Sequence, residues 1–180
     1  CALTPADHFT QPALSPDGRL AAFVQVDKQG DPGFGDARST LWLVDVNSGQ
    51  RRRLLAPAQS DGMTKLLDAV WQPEFSLNGG YVYVMAEAWT TSSAIHQVNV
   101  ATGGHRFVTD GELLFVIRSG RYAGYLMVQK HKYHPAPEYG SYNPVFVVRP
   151  DAKWAMMVPG SDKDEGEHSV EAWMKRNRGR

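Results

Sequence analysis

Two stretches of this chain, QPALSPDGRLAAFV from Gln11 and QPEFSLNGGYVYVM from Gln72, carry one design: a short lead-in, a reversal and an apolar run. In Ser15-Pro16-Asp17-Gly18, proline sets φ for the first corner of a turn. Aspartate bonds back to nearby backbone N–H groups, and glycine supplies the positive φ that other residues resist. Ser76-Leu77-Asn78-Gly79 keeps the Asn-Gly half of that chemistry. Each reversal launches an extended run: residues 19–26 after the first, and Tyr81-Val82-Tyr83-Val84-Met85, richer in β-branched and aromatic residues, after the second. Reversal followed by strand, repeated, restricts the chain to antiparallel ribbons.

The repetition continues downstream. Leu41-Trp42-Leu43-Val44-Asp45-Val46-Asn47-Ser48-Gly49 matches Ile95-His96-Gln97-Val98-Asn99-Val100-Ala101-Thr102-Gly103, and both read as strand, turn, strand. The length difference between the copies sits in residues 27–39, whose Gly, Pro and Asp content suits an exposed, variable connection. A third unit is degenerate: residues 125–128 form one strand, and residues 145–149 and 154–158 form a hairpin around Pro150-Asp151-Ala152-Lys153. Recurrent four-strand units are a propeller signature. The expected fold is mainly β, an antiparallel propeller-like stack of about three to four blade-like units, open or closed, at roughly 40 to 45 residues per blade.

A short C-terminal helix completes it. Residues 161–168 read as a charged hinge, and residues 169–177 place Val170, Trp173 and Met174 on one side. Acids precede this segment, Lys175, Arg176 and Arg178 end it as the helix dipole prefers, and Gly179 stops it. The domain division is then residues 1–160 for the propeller-like part and 161–180 for the hinge and capping helix. The cap is expected to pack Trp173 over an exposed sheet edge, which otherwise invites pairing with another chain; a partner-binding helix is the rival reading. Trp42, inside a strand pattern, is expected in the core, as is Trp154.

SPDGRLAAFV followed by LWLVDVNSGQRRRLL resembles the WD-type repeat of TolB-like β-propellers, also found in the non-catalytic propeller domain of prolyl-oligopeptidase-type peptidases. The resemblance covers residues 11–55 and 72–108, and it implies blade architecture. Those relatives use about six or seven blades, so the stack is either a small or open one or a portion of a larger propeller. A second, weaker resemblance, carried by residues 77–84 and 92–99, is to small β-rich periplasmic immunity proteins that neutralise cell-wall-degrading effectors of type VI secretion. It implies a binding module that works by steric exclusion.

Charge bounds the partner. Nineteen basic residues balance nineteen acidic ones, so no whole-molecule field favours nucleic acid, and Arg51-Arg52-Arg53 reads as a solvated strand end. No apolar run reaches the length of a membrane-spanning helix. The sole cysteine is Cys1, which excludes an intrachain disulfide and matches what remains when a bacterial lipoprotein signal is cleaved. Cys1 is therefore the expected lipid attachment point, with the protein in the bacterial periplasm as an outer-membrane lipoprotein; a numbering or cloning remnant is the alternative.

Catalytic signatures are missing from the pattern. No G-x-S-x-G elbow occurs, and Gly140-Ser141-Tyr142 lacks the second glycine. Gly30, Gly33 and Gly35 have the wrong spacing for a dinucleotide loop, and paired cysteines for zinc are unavailable. Asp68, Glu74 and Glu87 are scattered. His131 and His134, three apart on an extended segment, point to opposite faces and are flanked by Lys130 and Lys132, which repel a cation. No enzyme activity, cofactor or metal is expected.

Residues 133–144 read instead as a contact surface. Tyr133, His134, Pro135, Glu138, Tyr139 and Tyr142 fall in a connection too long for a tight hairpin, and tyrosines offer broad contact area with a polar tip at low entropic cost. Covering the ends of a small sheet stack is the competing role. Trp89 lies on a similar loop or clamps two blades. The expected partner is another protein, a secreted cell-wall hydrolase in the immunity reading, with a TolB-like envelope accessory protein and the propeller portion of a serine peptidase as alternatives.

Overall fold

The computed structural model describes residues 8–9, 12–27, 38–58, 62, 64–89, 92–163 and 166–177. Its reversals are built alike. The Ser15 hydroxyl donates to Asp17 Oδ1 (2.7 Å) and accepts the Leu20 N–H (2.9 Å). The Ser76 hydroxyl donates to Asn78 Oδ1 (2.8 Å) and accepts the Tyr81 N–H (3.0 Å). The other matched turns use a carboxylate or amide oxygen as acceptor: Asp45 Oδ1 takes the N–H groups of Asn47 and Ser48, and Asn99 Oδ1 those of Ala101 and Thr102.

Strands β1 (His8–Phe9), β2 (Ala13–Leu14), β3 (Leu20–Asp27), β4 (Arg38–Asp45) and β5 (Arg51–Leu55) form blade 1, in which β1 and β2 both pair with β3. Blade 2 is the four-stranded meander β6 (Val70–Phe75), β7 (Tyr81–Trp89), β8 (Ser92–Asn99) and β9 (His105–Asp110). In blade 3, β10 (Glu112–Val116) and β11 (Leu126–Gln129) are followed by a two-stranded ribbon, β12 (Lys132–Tyr133) and β13 (Ser141–Tyr142), before β14 (Val145–Val148) and β15 (Ala155–Met157) complete the sheet. Helix α1 (Gly166–Asn177) follows. All described pairings are antiparallel. The described strands make three blades, the lower of the numbers expected, and β10 supplies an innermost strand to the unit that looked most degenerate.

Strand alternation explains how the blades stack. Ala22, Val24, Leu41 and Leu43 of blade 1 meet Phe75, Val82, Val84, Ala86 and Val98 of blade 2. The opposite face of blade 2, with Tyr83, Met85, Ile95 and Val108, meets Leu113, Leu126, Val128 and Val148 of blade 3. A strand such as β7 is thus buried on both sides, and its near-continuous apolar run follows from that. Arginines on the outer strands repeat one inter-blade bond: Arg52 donates to the Val100 carbonyl, and Arg106 to the Pro150 carbonyl (2.5 Å).

Several expectations change. α1 lays Trp173, Val170 and Met174 on the far face of blade 3, against Met127, Val145, Val147 and Val158, so it covers a sheet face and not an edge. The helix starts at Gly166, within the segment read as a hinge, and Ser161 is buried with its hydroxyl bonded to the Val145 N–H (3.0 Å) and carbonyl (3.2 Å). Trp42 is half-buried, alternating with Leu41 and Leu43 and so facing away from blade 2, with the Arg51 guanidinium 5.2 Å from its ring. Trp154 is exposed and stacks on Tyr122 at 5.9 Å. Cys1, the connection over residues 28–37 with Gly30, Gly33 and Gly35, and the helix-ending Arg178 and Gly179 lie outside the described residues.

Candidate protein-binding site

Meander topology sorts the connections between two ends of the stack. One end holds the tight turns at residues 15–19, 46–50, 76–80 and 99–104. The other holds, in blade 3, the connection from β11 to β14. That connection is the β12–β13 ribbon. Proline and glycine punctuate it, so the chain folds on itself locally: His134 N–H donates to the Gly140 carbonyl (3.1 Å), and Glu138 N–H to the Pro135 carbonyl (3.1 Å), with a cis peptide at Ala136-Pro137.

The ribbon divides the predicted contact residues between its faces. Lys132 pairs with Tyr142 and Tyr133 with Ser141. On one face the His134 ring stacks on Tyr142 with centroids 4.5 Å apart, and His134 Nδ1 lies 3.5 Å from the Glu138 carboxylate. On the other, His131 meets Tyr133 edge-on at 4.9 Å and its Nδ1 shares a hydrogen bond with Asn143 (3.0 Å). Tyr139 stands at the tip, 94% exposed, and Tyr133 is 68% exposed. Pro135 and Glu138 are exposed beside it. The fold therefore brings His134, Glu138 and Tyr142 together and separates them from Tyr133. The two histidines make different aromatic contacts, and no described group of three or more His, Cys, Asp or Glu is arranged to hold a metal ion.

Trp89 ends β7 and pairs with Ser92, so it belongs to a strand and not to a loop. It is 40% exposed and meets Phe107 edge-on at 6.4 Å. It shares the ribbon's end of the molecule. Between the two lies a polar cleft of about 350 Å³ lined by Ser92, Gly111, Glu112, Gln129, His131 and Asn143.

The anchoring residues were not legible in the sequence. Lys130, which in the sequence read only as a charge repelling a cation, donates from Nζ to Thr109 (2.6 Å) and to Asp110 (2.5 Å), tying the base of the ribbon to blade 2, and lies 5.8 Å from the Phe146 ring. Partial burial pushes the Asp110 carboxyl upward, but the bond and charge of Lys130 outweigh it and hold the group below the ordinary carboxylate range. Glu74 is likewise structural in its contacts: its carboxylate accepts the Val116 N–H and Arg118 Nη2, each at 2.8 Å, across the seam between blades 2 and 3.

No protein-family model matches the chain, and no curated protein matches it. Solved structures do. The acylaminoacyl peptidase of Pyrococcus horikoshii is 11% identical with a TM-score of 0.58, over 86% of this chain and 26% of its own. A putative TolB from Agrobacterium tumefaciens is 15% identical with a TM-score of 0.52, over 84% of this chain and 48% of its own. An oligogalacturonate lyase in complex with manganese is 15% identical with a TM-score of 0.54, over 91% of this chain and 40% of its own. The chain thus spans between a quarter and a half of the length of these neighbours. With its three antiparallel blades, it has the β-propeller architecture of TolB-like proteins and of peptidase propeller domains.

Proposed function

We propose that this chain is a non-catalytic protein-binding propeller module of the bacterial periplasm, and that it acts as an immunity-type inhibitor of a cell-wall hydrolase. The observation that carries this reading is the ribbon: a rigidly based projection from blade 3 that presents Tyr139 at 94% and Tyr133 at 68% exposure. Large tyrosine faces left in solvent on a backbone-bonded support lose little entropy when a partner covers them. The ribbon inserts into the partner's cleft, and inhibition comes from occupation of that space.

Tyr139→Ala with Tyr142→Ala is expected to weaken binding by more than about 2 kcal/mol, as for anchor residues at an interface. The measurement is calorimetric titration of wild-type and double-variant protein with the hydrolase recovered by pull-down from periplasmic extract, alongside a cell-wall digestion assay. Unchanged affinity in a folded double variant places the contact elsewhere. Recovery of no protein partner removes the binding reading. Because the putative TolB has the same blade architecture at a TM-score of 0.52, an envelope accessory role is the second reading; capture of envelope proteins without any effect on hydrolysis favours it.

A further inference from the structure

We propose that His96 and His105 form a proton-sensitive latch at the outer edge of the seam between blades 1 and 2, independent of any bound partner. The repeat isolates the feature. Trp42, His96 and Phe146 occupy matching places on the third strand of their blades, each three residues before the strand-end N–H that closes the following turn: Asp45 to Gln50, Asn99 to Gly104 and Arg149 to Trp154. In blades 1 and 3 the aromatic ring carries a nearby cation, Arg51 at 5.2 Å and Lys130 at 5.8 Å. In blade 2 both members are imidazoles, with centroids 6.3 Å apart. Only there can a proton change the charge of the ring itself.

The closed seam holds the neutral ring. His96 is 1% exposed, and neither ring nitrogen has a hydrogen-bond partner among the described residues. Phe107 stands edge-on to it at 5.9 Å. β7 presents Val82, Val84 and Ala86 on the same face, and β4 of blade 1 presents Leu41 and Leu43. Among the described residues, the charged groups facing this seam are His105 on β9, Asp110 opposite Ala94, whose carboxylate is bound to Lys130, Arg52 on β5, whose guanidinium is bound to the Val100 carbonyl, and Asp45 at the end of β4, whose carboxylate serves its own turn. None offers an acceptor to a His96 N–H. A proton on His105 would repel one on His96, and Arg52 adds the same sign.

Burial, followed by the charge of His105, pushes the His96 pKa from 6.5 down to about 4. A group depressed on folding lends stability that is complete above its unfolded value and is lost as pH falls. The window here runs from 6.5 to about 4. Within it, an opened seam takes up a proton that the closed seam refuses, so opening becomes more favourable by up to about tenfold per pH unit.

The test is a proton NMR titration of the intact chain from about pH 8 to pH 4, together with hydrogen exchange of backbone amides. The His96 ring is expected to stay neutral to below pH 5, while amides of β5, β8 and β9 exchange faster with falling pH, corrected for intrinsic rates, and those of α1 and β14 do not. His96→Phe should abolish that pH dependence, and His105→Gln should reduce its extent. A His96 ring titrating near 6.5 in the folded wild type overturns the proposal, whatever the variants do. So does equal acid sensitivity in wild type and in folded His96→Phe.

Discussion

Ser15 and Ser76 each do two jobs from a nearly sealed position. Their hydroxyls donate to the turn side chain and accept the N–H of the first strand residue five positions on. Truncation leaves that N–H without its partner, while the turn oxygen keeps only the N–H of Arg19 or Gly80. Ser15→Ala and Ser76→Ala are each expected to cost about 1–2 kcal/mol in urea denaturation. The Asp17-Gly18 and Asn78-Gly79 corners were readable in sequence, since a side chain contacting its own backbone two residues away needs no tertiary context. The serine role was not, because its second bond exists only after the turn has closed. Tyr139 illustrates the other limit: its chemistry marks it as a contact residue, but its place at the ribbon tip, away from the His134–Tyr142 stack, depends on how the ribbon pairs.

Among the elements, α1 is the one whose docking the repeat pattern does not foretell. Trp173 is 5% exposed and lies against Tyr122 with centroids 5.2 Å apart. Trp173→Ala is expected to lower stability by about 3–5 kcal/mol. It should also raise dye binding by exposed apolar surface, because Met127, Val145 and Val147 lose their cover. Unchanged thermal stability would show that the helix contributes nothing to blade 3. The helix-side spacing of Val170, Trp173 and Met174 was legible from periodicity. Its receiving surface was not: an edge strand and a sheet face are both plausible recipients of an amphipathic stripe, and the choice was made by a blade face that no further described blade covers. The ribbon follows the same division. Its proline-rich loop character was legible, whereas the grip of Lys130 on Thr109 and Asp110 joins residues some twenty positions apart.

At the scale of the molecule, each blade packs on its neighbour, and the turns set how closely. Gly49 and Gly103 occupy matching turns with φ of 70° and 73°. A Cβ at Gly49 meets nothing within 4 Å, whereas one at Gly103 falls 2.8 Å from the Leu54 carbonyl oxygen of blade 1. Gly49→Ala should therefore cost about 1–2 kcal/mol from the left-handed backbone alone. Gly103→Ala should cost distinctly more, since blades 1 and 2 must also part; the difference in urea midpoints measures it, and equal losses would deny the close approach.

By itself, the sequence determined where this chain reverses, which runs are extended, and that they recur as blade units, because these depend on φ preferences and bonds spanning a few residues. Only the tertiary structure decided which side of each strand is inside. In a stack of blades both faces of a central sheet are buried, so alternation carries no sign: Trp42 looks inward and turns out to face away from blade 2, while its counterpart His96, the more polar residue, is the one sealed between sheets. Burial there is imposed by the neighbouring blade and not by the residue's own hydrophobicity.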